Sequence, residues 1–404
     1  MKYSMRTTAI VLGKACLFFG ILPLQDALLA AAPHLRPLGR GEWAAPTNSE
    51  AVAVQVLGNK AYVALRYGGM AVIDVSDPER PVRLGGCDTP GVAYSIGVAG
   101  NYAYMVDSDQ GLHVIDISNP SDCVSMGAFP TGGWAEDIVV EGNYAYIGDW
   151  VLGLEVFEVS NPTNCVRVGG YRFPRPDGVV ARTRALTKAG NFVYVANLGG
   201  GMDIMHVSNP TNCAWVRNYD FARRWVHDVA VAGNYAYVGY DHGLVVIDVT
   251  DPRNSVRVGG LGMGPVSGLS VTGKYLYAKS VSHFQVFDVG NPTNFVSLGT
   301  YRVSHTFRNL TASDTRIYIA NGTQGLLVLC SLPNLRFVCE IQGGSLGVPF
   351  FIEAATSLRE PIQWTPVLIT NPPALPFDFA DYDVKLSDKP RKFYRARQNG
   401  KETP

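Results

Sequence analysis

One segment, Val231-Ala232-Gly233-Asn234-Tyr235-Ala236-Tyr237-Val238, recurs along the chain and constrains its fold more than any other feature. Its Asn position falls at Asn59, Asn101, Asn143, Asn191 and Asn234, then at Lys274 and Thr315 in two degenerate copies, with gaps of 42, 42, 48, 43, 40 and 41 residues. A second block, Gly243-Leu244-Val245-Val246-Ile247-Asp248-Val249, follows in register and recurs as Val72-Ile73-Asp74-Val75 and Val114-Ile115-Asp116-Ile117. A turn pair then follows in six of the seven units, at Asp77-Pro78, Asn119-Pro120, Asn161-Pro162, Asn209-Pro210, Asp251-Pro252 and Asn291-Pro292. Alternating apolar runs supply strands, Gly-Asn a tight hairpin, and Asp/Asn-Pro the turn after the third strand. Four short strands repeated every ~40 residues describe a propeller blade. A β-helix would need shorter repeats, and a helical solenoid would need a 3.6-residue period that is absent.

The chain supplies seven first, second and third strands. For the fourth there is one extra copy, His34-Leu35-Arg36-Pro37-Leu38-Gly39-Arg40, which is similar to Val256-Arg257-Val258-Gly259-Gly260. An orphan outer strand at the N-terminus completes blade seven and closes the ring. Leu335–Glu340 is then left to start a C-terminal module.

Together the Val-Ile-Asp-Val blocks and Gly-Asn-Tyr-Ala-Tyr segments resemble the LVIVD-repeat family of bacterial and archaeal surface β-propellers, over roughly residues 34 to 332. Glu158, His206 and Cys330 depart from the pattern at the Asp position, and the seventh copy is weak. The resemblance implies export and a propeller, and no defined chemistry. Residues 333–397 carry no repeat. Val348–Ala354, Trp364–Val367 and Phe393–Ala396 alternate as strands, similar to short β-rich modules at the C-termini of exported proteins of environmental Gram-negative bacteria. The expected architecture is therefore all-β: a seven-bladed β-propeller over residues 32–332 and a small C-terminal β module over 333–404.

Residues 1–31 read as a signal peptide. Lys2 and Arg6 precede an apolar stretch, Ala9 to Leu24, broken only by Lys14, and the small residues Ala30, Ala31 and Ala32 follow. The uninterrupted run is too short to span a bilayer, so no transmembrane segment is expected in the mature chain. The destination is secreted, periplasmic or cell-surface. Lys plus Arg and Asp plus Glu number 34 each, which offers no net field to nucleic acid.

Residue types that carry chemistry are sparse. Asp74, Asp116, Asp248 and Asp288 repeat around a ring, cannot converge on one site, and are assigned to turn capping. Cys123, Cys165 and Cys213 share one repeat position, too far apart in neighbouring blades to pair. Cys330 and Cys339 flank a short connection and are left open as a disulfide. Gly343-Gly344-Ser345-Leu346-Gly347 matches a nucleophile elbow by letters alone and is read as a loop. Asp107-Ser108-Asp109-Gln110-Gly111 has a calcium-loop flavour but is read as solvated loop. No metal-protease, phosphate-loop or paired-cysteine motif occurs, and no metal or cofactor is expected.

Position within the repeat is more informative. Loops joining blades share a face with the loops between second and third strands, and Trp43, Trp134, Trp150 and Trp225 map to them, as do His227, His242, His283 and His305. Six residues before each hairpin Gly position stand Val52, Tyr94, Glu136, Arg184, His227, Ser267 and Arg308; the next position adds Asp137, Asp228 and Asn309. Deeper residues revert to Val, Ile and Leu. The repeat thus keeps a fixed core and varies a ring at the channel mouth, where Phe173–Thr183, the longest blade-joining loop, should overhang. The expected binding set is Tyr94, Trp134, Glu136, Asp137, Arg184, Trp225, His227, Asp228 and Arg308, for a glycan, peptide or protein partner. The competing expectation is an axial hydrolase or lyase with Glu136, Asp137 or Asp228 as acid/base and Arg184 or Arg308 stabilising an anion. Pure scaffolding is the third.

Overall fold

The computed structural model describes residues 40–108, 110–173, 182–222, 224–280, 283–303, 309–313 and 316–330, with the backbone alone of 336–341, 350–355, 365–370, 377–385 and 393–398 beyond them. Six antiparallel four-stranded sheets run in simple meander order, and a seventh pairs Arg40–Trp43 with the hairpins of 309–330. We number the blades 1 to 7 from Ala51. The protein is a seven-bladed β-propeller. Among the described residues no helix is long and apolar enough to cross a membrane.

Each blade is a meander because its turns leave little choice. Gly58, Gly100, Gly142, Gly190, Gly233 and Gly273 all have φ between 52° and 60°. That left-handed conformation suits glycine and tightens the hairpin between first and second strands. At the third strand's end, Asp74, Asp116 and Asp248 each accept a 2.8 Å hydrogen bond from the backbone N–H two residues on, and Asp288 one of 2.9 Å. The side-chain hydrogen bonds from Ser76, Ser118 and Thr250 also hold the first three carboxyls below their ordinary range. Capping is their role, as the repeat implies.

Burial sits between blades. Separate apolar clusters join blade 7 to 1, 1 to 2, 2 to 3, 3 to 4, 4 to 5 and 5 to 6. The first is the ring closure, packing Tyr318, Leu326 and Val328 against Val54, Val63 and Ile73. The closing strand itself lies further along than the repeat suggests. It is Arg40–Trp43, in register with Leu329 to Leu326; residues 34–39 lie outside the described residues. Gly41 stands where Gly85 stands in blade 1: a Cβ there would lie 2.0 Å from the carbonyl oxygen of Pro78, as one on Gly85 would lie 2.2 Å from that of Pro120. Gly39 and Gly41 offer the same alternation two residues apart, so strand periodicity could not separate them. Trp43, placed by sequence in a loop, ends this strand and packs on the closure cluster.

A further correction concerns Asp107. It is buried completely, accepts a 3.2 Å hydrogen bond from Gly91 N–H and lies 3.6 Å from His113 Nε2, so it is not part of a solvated loop. Blades 3 and 4 repeat this arrangement with Asp149 and Glu155, then with Asn197 and Asp203. Asn197 Nδ2 donates to Asp203 Oδ2 at 2.7 Å. The six residues of spacing in all three pairs carry the second strand through its turn to the same face of the third.

Cys87, Cys123, Cys165 and Cys213 are free thiols. Cys123, Cys165 and Cys213 reach back to the carbonyl of the turn proline three residues earlier, at 3.5, 4.0 and 3.3 Å. The Cys330–Cys339 pairing and the Gly343–Gly347 loop lie outside the described side chains. In the C-terminal unit, Arg336–Ile341 pairs with Phe377–Lys385, and Phe350–Ala355 lies between Thr365–Thr370 and Phe393–Gln398. Of the segment read as starting this module, the described part, from Arg336 on, pairs with Phe377–Lys385, a strand that sequence reading did not single out.

Candidate functional site at the channel mouth

The innermost strands of blades 1 to 5 each contain one residue that the ladder skips. Register passes from Ala51 to Ala53, Ala93 to Ser95, Ala135 to Asp137, Thr183 to Ala185 and Val226 to Asp228. The skipped residues are Val52, Tyr94, Glu136, Arg184 and His227, the variable ring read from the repeat. A bulge re-aims a side chain without disturbing its neighbours' pairing. These five positions therefore vary at little cost to the sheets.

Below the ring lies an axial cavity of about 290 Å³ with residues of all seven innermost strands on its wall. Val54, Ile96, Ile138, Leu186, Val229, Leu269 and Leu310 are nearly inaccessible to solvent, as the fixed-core reading requires. The polar wall nonetheless goes deeper than the mouth: Gln55, Thr187, Ser270 and Thr311 belong to it alongside Asp137 and Asp228. They sit two residues further along than the Asp position, and the two-residue period of a strand was the signal that would have found them.

Asp137 Oδ1 accepts from Ser95 Oγ at 2.7 Å, and its Oδ2 accepts from Leu186 N–H at 2.9 Å. Asp228 accepts from Val229 N–H at 2.8 Å and from Leu269 N–H at 2.7 Å. Leu186 and Leu269 belong to the next blade in each case. Both carboxyls therefore satisfy backbone donors on the channel-side edge of the neighbouring innermost strand. Burial raises the pKa of Asp137 above the ordinary carboxylate value. Burial, reinforced by the charge of Asp137, pushes Asp228 up to about 7. Glu136 is also raised by burial, an effect opposed by its ion pair with Arg184.

Two tryptophans stand proud of this polar centre. Trp134 and Trp225 each lie immediately before the innermost strand of their blade, 3 and 5, and are 53% and 54% exposed. Trp134 meets Trp150 edge-on at 5.5 Å, its carbonyl accepts from Trp150 N–H at 2.8 Å, and the guanidinium of Arg182 lies 5.2 Å over the Trp150 ring. Trp225 exchanges backbone contacts with Asp241: its N–H donates to Oδ2 at 3.1 Å and its carbonyl accepts from Asp241 N–H at 3.2 Å. His227 Nε2 lies 2.8 Å from Asp241 Oδ1. Sequence reading missed Tyr67, 61% exposed on the same face with Arg66 5.6 Å over its ring, and the Arg66–Glu50 ion pair at 3.5 Å. Tyr94, by contrast, is half-buried against the cluster between blades 2 and 3. Arg308 and residues 174–181 of the long loop lie outside the described residues.

A ring of seven four-stranded blades with a variable mouth over a polar axial cavity defines a propeller whose candidate site is built from its innermost strands and top loops. The LVIVD repeat matches residues 49–89, 90–131, 132–172, 183–221, 223–259 and 263–303, more than half of the chain, and the protein belongs to the LVIVD-repeat family. No curated protein matches. Among solved structures the chain is similar to the crystal structure of the computationally designed Ika8 protein, with a TM-score of 0.52 and 13% identity over 72% of this chain and 100% of that one. That likeness is one of fold.

Proposed function

We propose that the protein is exported and acts as a binding or scaffold module, presenting its channel mouth to a glycan, peptide or protein partner. Export is supported by the targeting character of residues 1–31 and by the family resemblance. One observation carries the binding reading: Trp134 and Trp225, both more than half exposed, occupy the same loop position in blades 3 and 5, Trp134 with its ring against Trp150 and Trp225 with its backbone bonded to Asp241. A large aromatic kept in water is suited to anchoring a partner. The hydrolase or lyase reading is less favoured, because Asp137 and Asp228 are occupied by backbone donors and Glu136 by Arg184.

The reading is tested by probing the purified chain on glycan and peptide arrays and measuring affinity for whatever binds. Trp134→Ala and Trp225→Ala should each weaken binding by roughly 2 kcal/mol with the fold intact. Unchanged affinity in both variants would return the protein to pure scaffolding.

A further inference from the structure

We infer that the axial cavity is a binding site for a small organic cation carrying a primary ammonium group. The site lies below the mouth and stands independently of any partner bound by the mouth face.

The repeat itself leaves the space. One residue past the variable-ring position, the seven innermost strands carry Ala53, Ser95, Asp137, Ala185, Asp228, Gly268 and Asn309. Three of these are Ala or Gly, which leave the axis unfilled on their side of the ring. The cavity of about 290 Å³ lies at the lower end of the volumes that small-molecule sites occupy.

Its wall calls for positive charge. Asp137 and Asp228 line it, whereas among the described residues no Lys, Arg or His does. In the mouth ring above, Glu136 and Arg184 are paired with each other and His227 faces Asp241. The backbone bonds do not exhaust the two carboxylates. A carboxylate has about four acceptor sites. Three are filled on Asp137, counting the Ile138 N–H, and two on Asp228. Burial holds both carboxyls above their ordinary range, and the charge of Asp137 adds to the shift at Asp228. A cation bound among them offsets both the burial and the mutual repulsion.

The rest of the wall selects the kind of cation. No aromatic ring lines the cavity among the described residues, so a quaternary ammonium finds no cage of ring faces. A metal ion is poorly served as well. Among the described residues no three His, Cys, Asp or Glu side chains come together to hold one, and both carboxylates are turned to amides of the next blade. A primary ammonium asks only for acceptors to its three N–H groups, which Asp137, Asp228 and the carboxamide of Asn309 supply. Gln55, Thr187 and Thr311, two residues deeper, offer hydrogen-bonding groups to the body of the ligand.

The test titrates the purified full chain with putrescine, ethanolamine, choline and calcium chloride, by calorimetry at pH 8 and pH 6. The expected result is one putrescine or ethanolamine bound per chain at pH 8. Binding should be several-fold weaker at pH 6, where Asp228, with its pKa of about 7, is mostly protonated while the amines stay charged. Asp228→Asn should weaken binding by more than tenfold and flatten the pH dependence. That variant also disturbs the bonds to Val229 and Leu269, so a second one leaves the carboxylates intact. Gln55→Lys, at an exposed position on the wall, brings a tethered ammonium into the cavity and should block the ligand to the same extent. Glu79→Gln, which removes an exposed carboxylate on a turn of blade 1, should change nothing. Choline bound as tightly as the amines, or calcium bound in their place, overturns the ligand class. Amine binding that survives both Asp228→Asn and Gln55→Lys overturns the axial site, as does the failure of every probe to bind.

Discussion

Asp137 Oδ2 accepts a 2.9 Å hydrogen bond from Leu186 N–H, which lies 49 residues later on the innermost strand of the next blade. The contact is a tie between sheets that share no ladder. Asp137→Ala removes it and strands both that amide and Ser95 Oγ. We expect a loss of about 1–3 kcal/mol, the cost of leaving buried donors unpaired, measured by denaturant unfolding. A variant as stable as the parent would mean the tie is dispensable.

Gly41 controls ring closure. Its missing side chain leaves room for the Pro78 carbonyl, and any Cβ would collide with it at 2.0 Å. Gly41→Val should therefore push the closing strand off blade 7, at a cost of roughly 1–3 kcal/mol or more, with a lower thermal midpoint. Gly58→Ala, at an open hairpin, should cost less, because no atom lies within 4 Å of the added carbon and only its φ of +60° opposes it. Equal effects would show that the closure is not confined at Gly41.

Glu155 sets a pH dependence. It is fully buried beside Asp149, and burial, opposed by Arg167 and reinforced by Asp149, pushes its pKa up to about 7 from 4.5. The folded state then holds the proton more tightly than the unfolded one. Its contribution is present below pH 4.5, falls as pH rises through that window, and is gone above about 7. The total is on the order of 3 kcal/mol. Asp228, pushed up to about 7 as well, acts in the same direction. Unfolding by denaturant at pH 5 and pH 8 should show greater stability at pH 5 before any general acid effect. Glu155→Gln should reduce the difference; an undiminished slope would place its origin elsewhere.

The C-terminal unit should be separable. Gly39–Ser297 and Arg302–Leu329 form one compact unit, and Cys330–Pro404 fall in the other. Limited proteolysis should release residues beyond 332 and leave a cooperatively melting propeller. Recovery of only aggregated core would show that the terminal strands are needed by the ring.

Much of this molecule was legible because its determinants are local. Gly-Asn hairpins and Asp/Asn-Pro turns specify themselves within a few residues, so the blade and its count followed from reading along the chain. The bulged ring was legible as well, since Glu136, Arg184 and His227 stand at a repeat position that varies while the residues deeper in the strands stay apolar. What escaped depends on register between strands. The closing glycine is Gly41 and not Gly39 because of a carbonyl in another blade. Asp107 is buried because His113 waits across a turn and Gly91 N–H reaches it from the preceding connection. Tyr67 carries no repeat signature, since its loop position is free to hold anything.

The skipped residue in each of five innermost strands separates two tasks that most sheets combine. A substitution at Val52, Tyr94, Glu136, Arg184 or His227 has no ladder partner to satisfy, and the constraints left are side-chain ones: Glu136 with Arg184, His227 with Asp241, and the apolar packing of Val52 and Tyr94. Five positions outside the ladder make the mouth a keyboard mounted on a fixed frame. A lineage can thus change the chemistry of the mouth by point mutation, without relearning how to fold.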